Sequence, residues 1–299
     1  MDNRVIVMLT TYNGEKYLPA LIESVLGQTH KNISLYIRDD GSTDSTLQIL
    51  ETHKNNPSFI ITAGENIGTM QSFFELLASA GDAPYYSFCD QDDVWLPDKI
   101  SRAVEKLSDH NETPAAYFCR LDIVSEDLRH IAYTPLYKKL LGLKTSICGN
   151  VLTGMACVIN KKARELIISR LPDFAVMYDW WVYIVVSAFG KIIYDDAPLV
   201  LYRQHGANVY GRKTGFGLLK KRVKKYAGGG YHKRISRQAN EFLRLFGEDL
   251  KIEDLEFIKK FVAEKNFFDR LRYALTCPAY RQDFIDNIFL RAMILINHI

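Results

Sequence analysis

Short apolar runs and longer amphipathic stretches alternate along the first hundred residues. Arg4 to Leu9, Ile33 to Arg38, Phe59 to Thr62 and Tyr85 to Cys89 are runs of strand length, rich in Val, Ile, Phe and Tyr. Between them, Lys16 to Leu26, Asp44 to His53 and Thr69 to Ala80 have the length and spacing of helices, and Pro97-Asp98-Lys99 opens another. Strands that alternate with helices predict a parallel sheet, because parallel neighbours need a crossover. The middle of the chain, about 114 to 205, is less regular. It holds strand candidates at Ala115 to Cys119, Ala156 to Ile159, Lys191 to Tyr194 and Leu199 to Tyr202, and a helix from Trp180 to Phe189. Beyond Gly211 the pattern turns helical, with candidates at Phe216 to Tyr226, Ile235 to Phe246, Leu255 to Phe268 and Tyr280 to Ile296; Gly228-Gly229-Gly230 separates the first two. The expected organisation is an α/β domain over 1–210 and a helical region over 211–299.

Polar residues cluster where each of the first four strands ends: Thr10-Thr11-Tyr12-Asn13, Asp39-Asp40-Gly41-Ser42, Asn66-Ile67-Gly68 and Asp90-Gln91-Asp92-Asp93. Ligands of open parallel sheets bind beyond the carboxyl ends of the strands, so all four clusters are expected to face one crevice. Each alone is equally a turn, since Asn, Asp, Gly and Ser are turn formers. The last cluster is the most informative. Three carboxylates within four residues repel one another, and a hard divalent ion relieves that repulsion. Sites of the Mg²⁺ type use one or two carboxylates and leave other positions to water and substrate phosphates, which points to phosphate chemistry. As a bare motif the cluster is as readily a solvated acidic turn.

Composition is that of a globular protein, with 47% hydrophobic and 24% charged residues. The five cysteines are scattered without metal-ligand spacing, which predicts buried thiols in a reducing compartment and no zinc site. No signal-peptide pattern precedes the first strand and no apolar run reaches spanning length, so a cytoplasmic protein is expected. The net charge of +3 conceals an asymmetry: no acid occurs from Ala197 to Asn240, whereas eleven Lys or Arg lie between Arg203 and Arg237. The basic segment 212–237 suits an anionic membrane surface, or is simply a solvated helix face. Nucleic acid is not expected, because no nucleic-acid-binding motif accompanies these residues.

Over about residues 3 to 210 the chain resembles the inverting, metal-dependent family 2 glycosyltransferases. The resemblance rests on Val5-Ile6-Val7-Met8-Leu9-Thr10-Thr11-Tyr12-Asn13, Ser24-Val25-Leu26-Gly27-Gln28-Thr29, Asp39-Asp40-Gly41-Ser42-Thr43-Asp44-Ser45-Thr46 and Asp90-Gln91-Asp92-Asp93, in that order. It implies a GT-A fold: a mostly parallel central sheet flanked by helices, here with a helical C-terminal extension. Asp90-Gln91-Asp92-Asp93-Val94-Trp95, Asn66-Ile67-Gly68, Asp179-Trp180-Trp181 and Tyr202-Arg203-Gln204-His205-Gly206 most resemble bacterial rhamnosyltransferases of surface polysaccharide assembly. The implied reaction moves L-rhamnose from dTDP-rhamnose to a glycan or lipid-linked acceptor, at the inner face of the cell membrane. A UDP-hexose donor is the alternative within the family, and a non-catalytic nucleotide-sugar binding protein the alternative outside it.

The resemblance also implies roles. Thr10, Thr11 and Tyr12 would line the base pocket, Asp40 would accept from the nucleoside, and Asp39 would support that turn. Asn66 and Gly68 would belong to the nucleotide-sugar site, and Arg203 would pair with the diphosphate. Asp92 and Asp93 would hold Mn²⁺ or Mg²⁺, with His205 as a third ligand and Asp92 also near the ribose. Asp179 would be the base that takes the acceptor proton, or the N-cap of the helix that follows. Gly154, Trp180 and Trp181 would lie on the acceptor side, although aromatics that open a helix are often core. Tyr178 departs from the family pattern, in which an acidic residue or His often precedes the base.

Overall fold

The computed structural model describes residues 2–205 and 233–297. The helix expected at Phe216 to Tyr226, the glycine triplet and most of the basic segment 212–237 therefore lie outside the described residues. In chain order the first elements are β1 (Val5–Thr11), α1 (Leu18–Leu26), β2 (Ile33–Asp39), α2 (Thr46–Glu51), β3 (Phe59–Ala63), α3 (Thr69–Ser79), β4 (Tyr85–Asp90), β5 (Val94–Trp95) and α4 (Lys99–Leu107). Then come β6 (Ala115–Val124), β7 (His130–Tyr133), α5 (Leu143–Ser146), β8 (Cys157–Asn160), α6 (Lys161–Ser169), α7 (Tyr178–Phe189) and β9 (Lys191–Arg203). The last are α8 (Arg234–Phe246), α9 (Ile252–Val262), α10 (Phe267–Thr276) and α11 (Phe284–Leu295).

The chain divides into two compact units. The first comprises Met1–Leu136, Leu152–Leu171 and Gly190–Asn208, and the second Tyr137–Val151, Pro172–Phe189 and Val209–Ile299. The first unit holds one nine-stranded sheet in the order β3-β2-β1-β4-β8-β6-β9-β5, with β7 paired to β6. Strands β1 to β4 pair in parallel, and β6 and β9 pair in parallel with each other. The short strand β8 lies antiparallel between β4 and β6. Central β1 is wholly apolar from Val5 to Leu9 and buried, as a strand covered on both faces must be. Helix α1 turns Leu18, Leu21, Ile22 and Val25 inward at helical spacing. Register then aligns the polar ends: Thr11 lies beside Asp39, Asp39 beside Ala63, and Thr10 beside Asp90.

Two expectations need correction. Lys191 to Tyr194 and Leu199 to Tyr202 are one strand, β9, whose register against β6 shifts near Pro198. Asp195, within that strand, is held by its neighbours: its carboxylate accepts from Arg102 Nε and Nη2 at 2.9 and 3.0 Å and from Tyr117 Oη at 2.9 Å. The stretch Leu255 to Phe268 is two helices rather than one, because Asn266 caps α10 by accepting from Asp269 N at 2.9 Å.

All five cysteines are buried and free. Lys99, at the start of α4, is fully buried beneath the sheet, donates to Ser87 Oγ at 2.9 Å and places its ammonium 3.3 Å from the centre of the Trp95 ring. Burial lowers its pKa to about 8 from 10.5. Between those two values the unfolded chain carries a proton that the folded chain has lost, so stability rises with pH through this window. The gain is of order 3 kcal/mol across the window. In urea denaturation followed at pH 7.5 and 10, the wild type is expected to gain on Lys99→Met by that order; parallel curves for the two proteins would reject the depressed ammonium.

The second unit gathers its core around α7 and α8. Trp181 is wholly buried, with its ring edge-on to Phe242 at 6.1 Å and tilted against Phe246. Gln238, also buried, accepts from Val176 N at 2.7 Å and fixes the segment that leads into α7.

Candidate active site

Backbone loops at the carboxyl ends of β1 to β4 are built by the very side chains singled out from the sequence. Asp39, fully buried, accepts from Thr11 Oγ1 at 3.0 Å, Ser42 N at 2.9 Å and Ser42 Oγ at 2.5 Å. Both its oxygens are engaged in shaping the turn, consistent with a supporting part. Asn13 takes a left-handed conformation, φ 48°, and its Oδ1 accepts from Thr43 N at 2.8 Å while its own N donates to Ser42 Oγ at 2.9 Å. The β1 and β2 loops are therefore one interlocked surface, with Tyr12 exposed on it and Thr11 beneath.

Asp40 reaches the third loop. It accepts from Ile67 N at 3.0 Å and Gly68 N at 2.9 Å and forms a buried ion pair with Arg38, whose Nε also donates to Glu75 at 2.6 Å. Burial alone would raise the Asp40 carboxyl, but the two backbone donors, Ser72 and Arg38 outweigh it, and its pKa is lowered. Gly68 has φ +83° at the start of α3, a conformation that a side chain would strain. Asn66 is exposed beside it.

Gln91, which the sequence reading passed over, joins the first and fourth loops. Its amide accepts from Tyr12 N at 2.9 Å and donates to Tyr12 O at 3.0 Å, copying a strand pairing with one side chain. An added Cβ at Gly14 would lie 2.3 Å from Gln91 Oε1, so the Gln91 amide would have to swing away from Tyr12. Gly14→Ala is expected to cost about 1–3 kcal/mol of stability by overpacking. Adding Gln91→Ala should return part of it, so additive losses in a double-mutant cycle would rule the contact out.

The acidic turn separates its two adjacent carboxylates. Asp92 Oδ2 lies 2.9 Å from His205 Nε2, and the Asp92 side chain keeps 22% of its surface exposed. Asp93 turns inward, fully buried: Oδ1 accepts from Arg203 N at 3.1 Å, and Oδ2 has no hydrogen-bond partner. Burial, with Asp92 and Asp90 adding repulsion, pushes the Asp93 carboxyl well above the usual range. Arg203 braces this turn rather than standing open: Nε donates to Asp92 O at 2.9 Å and Nη1 to Glu126 O. Tyr17 is a further residue that sequence reasoning missed. Its ring lies 4.7 Å from the His205 ring and 4.8 Å from the Arg203 guanidinium, and its hydroxyl donates to Glu126 at 2.9 Å. No motif signals Tyr17 or Glu126, because their roles come from packing.

Among the described residues no group of three His, Cys, Asp or Glu side chains is set to hold a metal ion. Asp92 and His205 fit as a partial site, a carboxylate and an imidazole brought together from positions far apart in the chain. Asp93 gives Oδ1 to the backbone of β9 and keeps a buried Oδ2 without a hydrogen-bond partner, so its part as a third ligand rests on the resemblance alone.

Gly154 is buried at a short turn before β8 in the first unit. Asp179, Trp180 and Trp181 belong to α7 of the second. Asp179 is buried inside the first turn, since the helix begins at Tyr178, and is not the N-cap. Trp180 donates from Nε1 to Ser146 O at 2.6 Å. Trp181, packed on Phe242 and Phe246, has no ring face left for an acceptor and is a core residue.

Polar loops joined at the carboxyl edge of the parallel strands, with a carboxylate–imidazole pair beside them, lie where open parallel sheets bind their ligands. The sequence pattern described as glycosyl transferase family 2 matches residues 6–166, and the chain belongs to that family. It is 27% identical to the dTDP-rhamnosyl transferase RfbG of Shigella flexneri over 97% of this chain and 99% of that protein. It is 30% identical to an uncharacterized glycosyltransferase of Nostoc over 69% of this chain and 66% of that protein. Its fold is similar to that of S. aureus TarS, solved with UDP-GlcNAc, with a TM-score of 0.59 at 14% identity over 98% of this chain and 90% of that one. The protein is a glycosyltransferase of the GT-A fold.

Proposed function

We propose that the protein transfers L-rhamnose, with inversion, from dTDP-rhamnose to a glycan or lipid-linked saccharide in bacterial surface polysaccharide synthesis. The likeness to a rhamnosyltransferase along nearly the whole of both chains supports the donor. The observation that carries the mechanism is the approach of His205 Nε2 to Asp92 Oδ2 at the edge of interlocked nucleotide loops. Asp92 and His205 would hold Mn²⁺ or Mg²⁺, which supplies Lewis-acid neutralisation of charge developing on the leaving diphosphate. Thr10, Tyr12 and Asn66 bind the nucleoside, while Thr11, Asp39, Asp40 and Gly68 keep its loops in shape. Arg203 holds the acidic turn in place. Asp179 takes the proton of the acceptor hydroxyl as the oxygen attacks the anomeric carbon, and Gly154 and Trp180 serve the acceptor side. The catalytic region is 1–210 and the helical region 211–299, whose basic segment 212–237 favours the inner face of the membrane.

Melting temperatures with dTDP, UDP and GDP, each with and without Mn²⁺, test this reading, because a ligand that binds only the folded state raises the melting point. Metal-dependent stabilisation by dTDP above UDP is expected. A preference for UDP would discard rhamnose, and no response to any nucleotide would discard the site.

A further inference from the structure

Sheet pairing carries the chain towards the acidic turn only as far as Gln204, one residue beyond β9, whose N donates to Val124 O at 2.9 Å. The direction of the next side chain, His205, is set by the side chains packed on it. At its edge, Nε2 meets Asp92 Oδ2 at 2.9 Å. Against its face lies Tyr17, with ring centres 4.7 Å apart and planes inclined by 31°. Aromatic rings at this separation attract beyond the area they bury.

Tyr17 is itself held from several sides. Its hydroxyl donates to Glu126 Oε1 at 2.9 Å, Lys16 pairs with the same carboxylate, and the Arg203 guanidinium lies 4.8 Å from the ring centre. Arg203 in turn donates from Nη1 to Glu126 O and from Nε to Asp92 O at 2.9 Å. Contacts from Tyr17 to Glu126, to Arg203 and back thus close a loop. It joins the segment before α1, the turn between β6 and β7 and the end of β9, all within the first unit. A ring fixed at several points has given up its rotamer freedom before a ligand arrives. Helix formation does not claim this side chain: Tyr17 stands at the N-cap position of α1 without a side-chain cap hydrogen bond. It is half-buried, beside the buried stripe of Leu18, Leu21, Ile22 and Val25 rather than within it.

Given Asp92 and His205 as the metal ligands of the proposed function, we infer that Tyr17 is their positioning residue. Anchored by Glu126, it holds the His205 imidazole against Asp92 so that the two take a divalent cation together. The orientation of the imidazole, and not only its presence, then sets the affinity for the ion. Partners that orient a ligating His are worth about 10- to 100-fold in metal affinity.

The test titrates Mn²⁺ into the full chain saturated with dTDP and reads free Mn²⁺ by electron paramagnetic resonance. Tyr17→Ala is expected to weaken Mn²⁺ binding at least about tenfold. Tyr17→Phe keeps the ring and loses only the bond to Glu126, so its loss should be about threefold. Binding of dTDP without Mn²⁺ should be unchanged in both. In a His205→Ala background Tyr17→Ala should have no further effect, because a residue that acts through the imidazole has nothing left to orient. A general loss of fold would instead weaken Mn²⁺ in both backgrounds. If Tyr17→Ala melts several degrees lower, Tyr17→Leu, which keeps apolar bulk and loses the flat face, is read in its place with the same expectation. Mn²⁺ affinity within about twofold of the wild type, with His205→Ala weakened, overturns the inference and leaves the ligand pair standing. Equal losses with and without His205 also overturn it. A His205→Ala protein that binds Mn²⁺ as the wild type does removes the ligand pair itself, and the part of Tyr17 falls with it.

Discussion

Asp179→Asn keeps donor binding and lowers sugar transfer by about 10²- to 10⁴-fold, the range that a positioned general base contributes. The substitution removes one negative charge and keeps the shape of a side chain buried inside the first turn of α7. Its cost to stability is small, about 0.3–1 kcal/mol from the lost interaction of a carboxylate with the helix N-terminus. Transfer and binding should therefore separate. Steady-state kinetics are expected to show kcat collapsing with the donor KM unchanged, and dTDP should still raise the melting temperature. Transfer within about twofold of the wild type would remove Asp179 from the mechanism, because a base contributes at least about 10²-fold. Loss of dTDP stabilisation together with transfer would assign it to folding.

The second large effect distinguishes two neighbours. Asp92→Ala is expected to abolish the Mn²⁺-dependent part of dTDP stabilisation and to lower transfer by about 10³-fold, since it removes a ligand from the charge-neutralising group at the diphosphate. Asp93→Asn should do neither. Its carboxylate is buried against Arg203 N, and burial already favours the neutral form, so the neutral isostere is tolerated and the Mn²⁺ response survives. His205→Ala lies between, with a loss of about 10- to 100-fold if imidazole supports the same ion. Thermal shifts over a Mn²⁺ titration check all three variants together. An Asp93→Asn protein that loses its metal response while Asp92→Ala keeps it would reverse the assignment.

The four loops that build the site were legible because each lies where an apolar run stops, and in a parallel sheet all such stops fall on one edge. Glycine and asparagine positions were legible for the same local reason: Gly68 and Asn13 occupy positive φ, which few residues tolerate. Pairings across distance were not. Gln91 copies a strand partner for Tyr12, and Tyr17 packs on His205 and Arg203, yet neither residue type nor its spacing announces this. Asp92 and Asp93 read as equivalent ligands in sequence, and of Trp180 and Trp181 at least one was expected in the core with nothing in the sequence to say which. Successive side chains leave the backbone in different directions, so adjacent residues divide between an accessible surface and a core.

What the amino-acid sequence determined by itself is local or periodic: the alternation that makes a parallel half-sheet, the turn chemistry at its carboxyl edge, the family, and a charge concentrated in the C-terminal third. Tertiary structure decided which of two neighbouring acids faces outward, that His205 meets Asp92, that Arg203 spends its donors on backbone carbonyls, and that the exposed side of α11 is apolar. The division has one cause. Propensity and period are carried by neighbours in the chain, whereas orientation and burial depend on which distant segments occupy the space around a side chain.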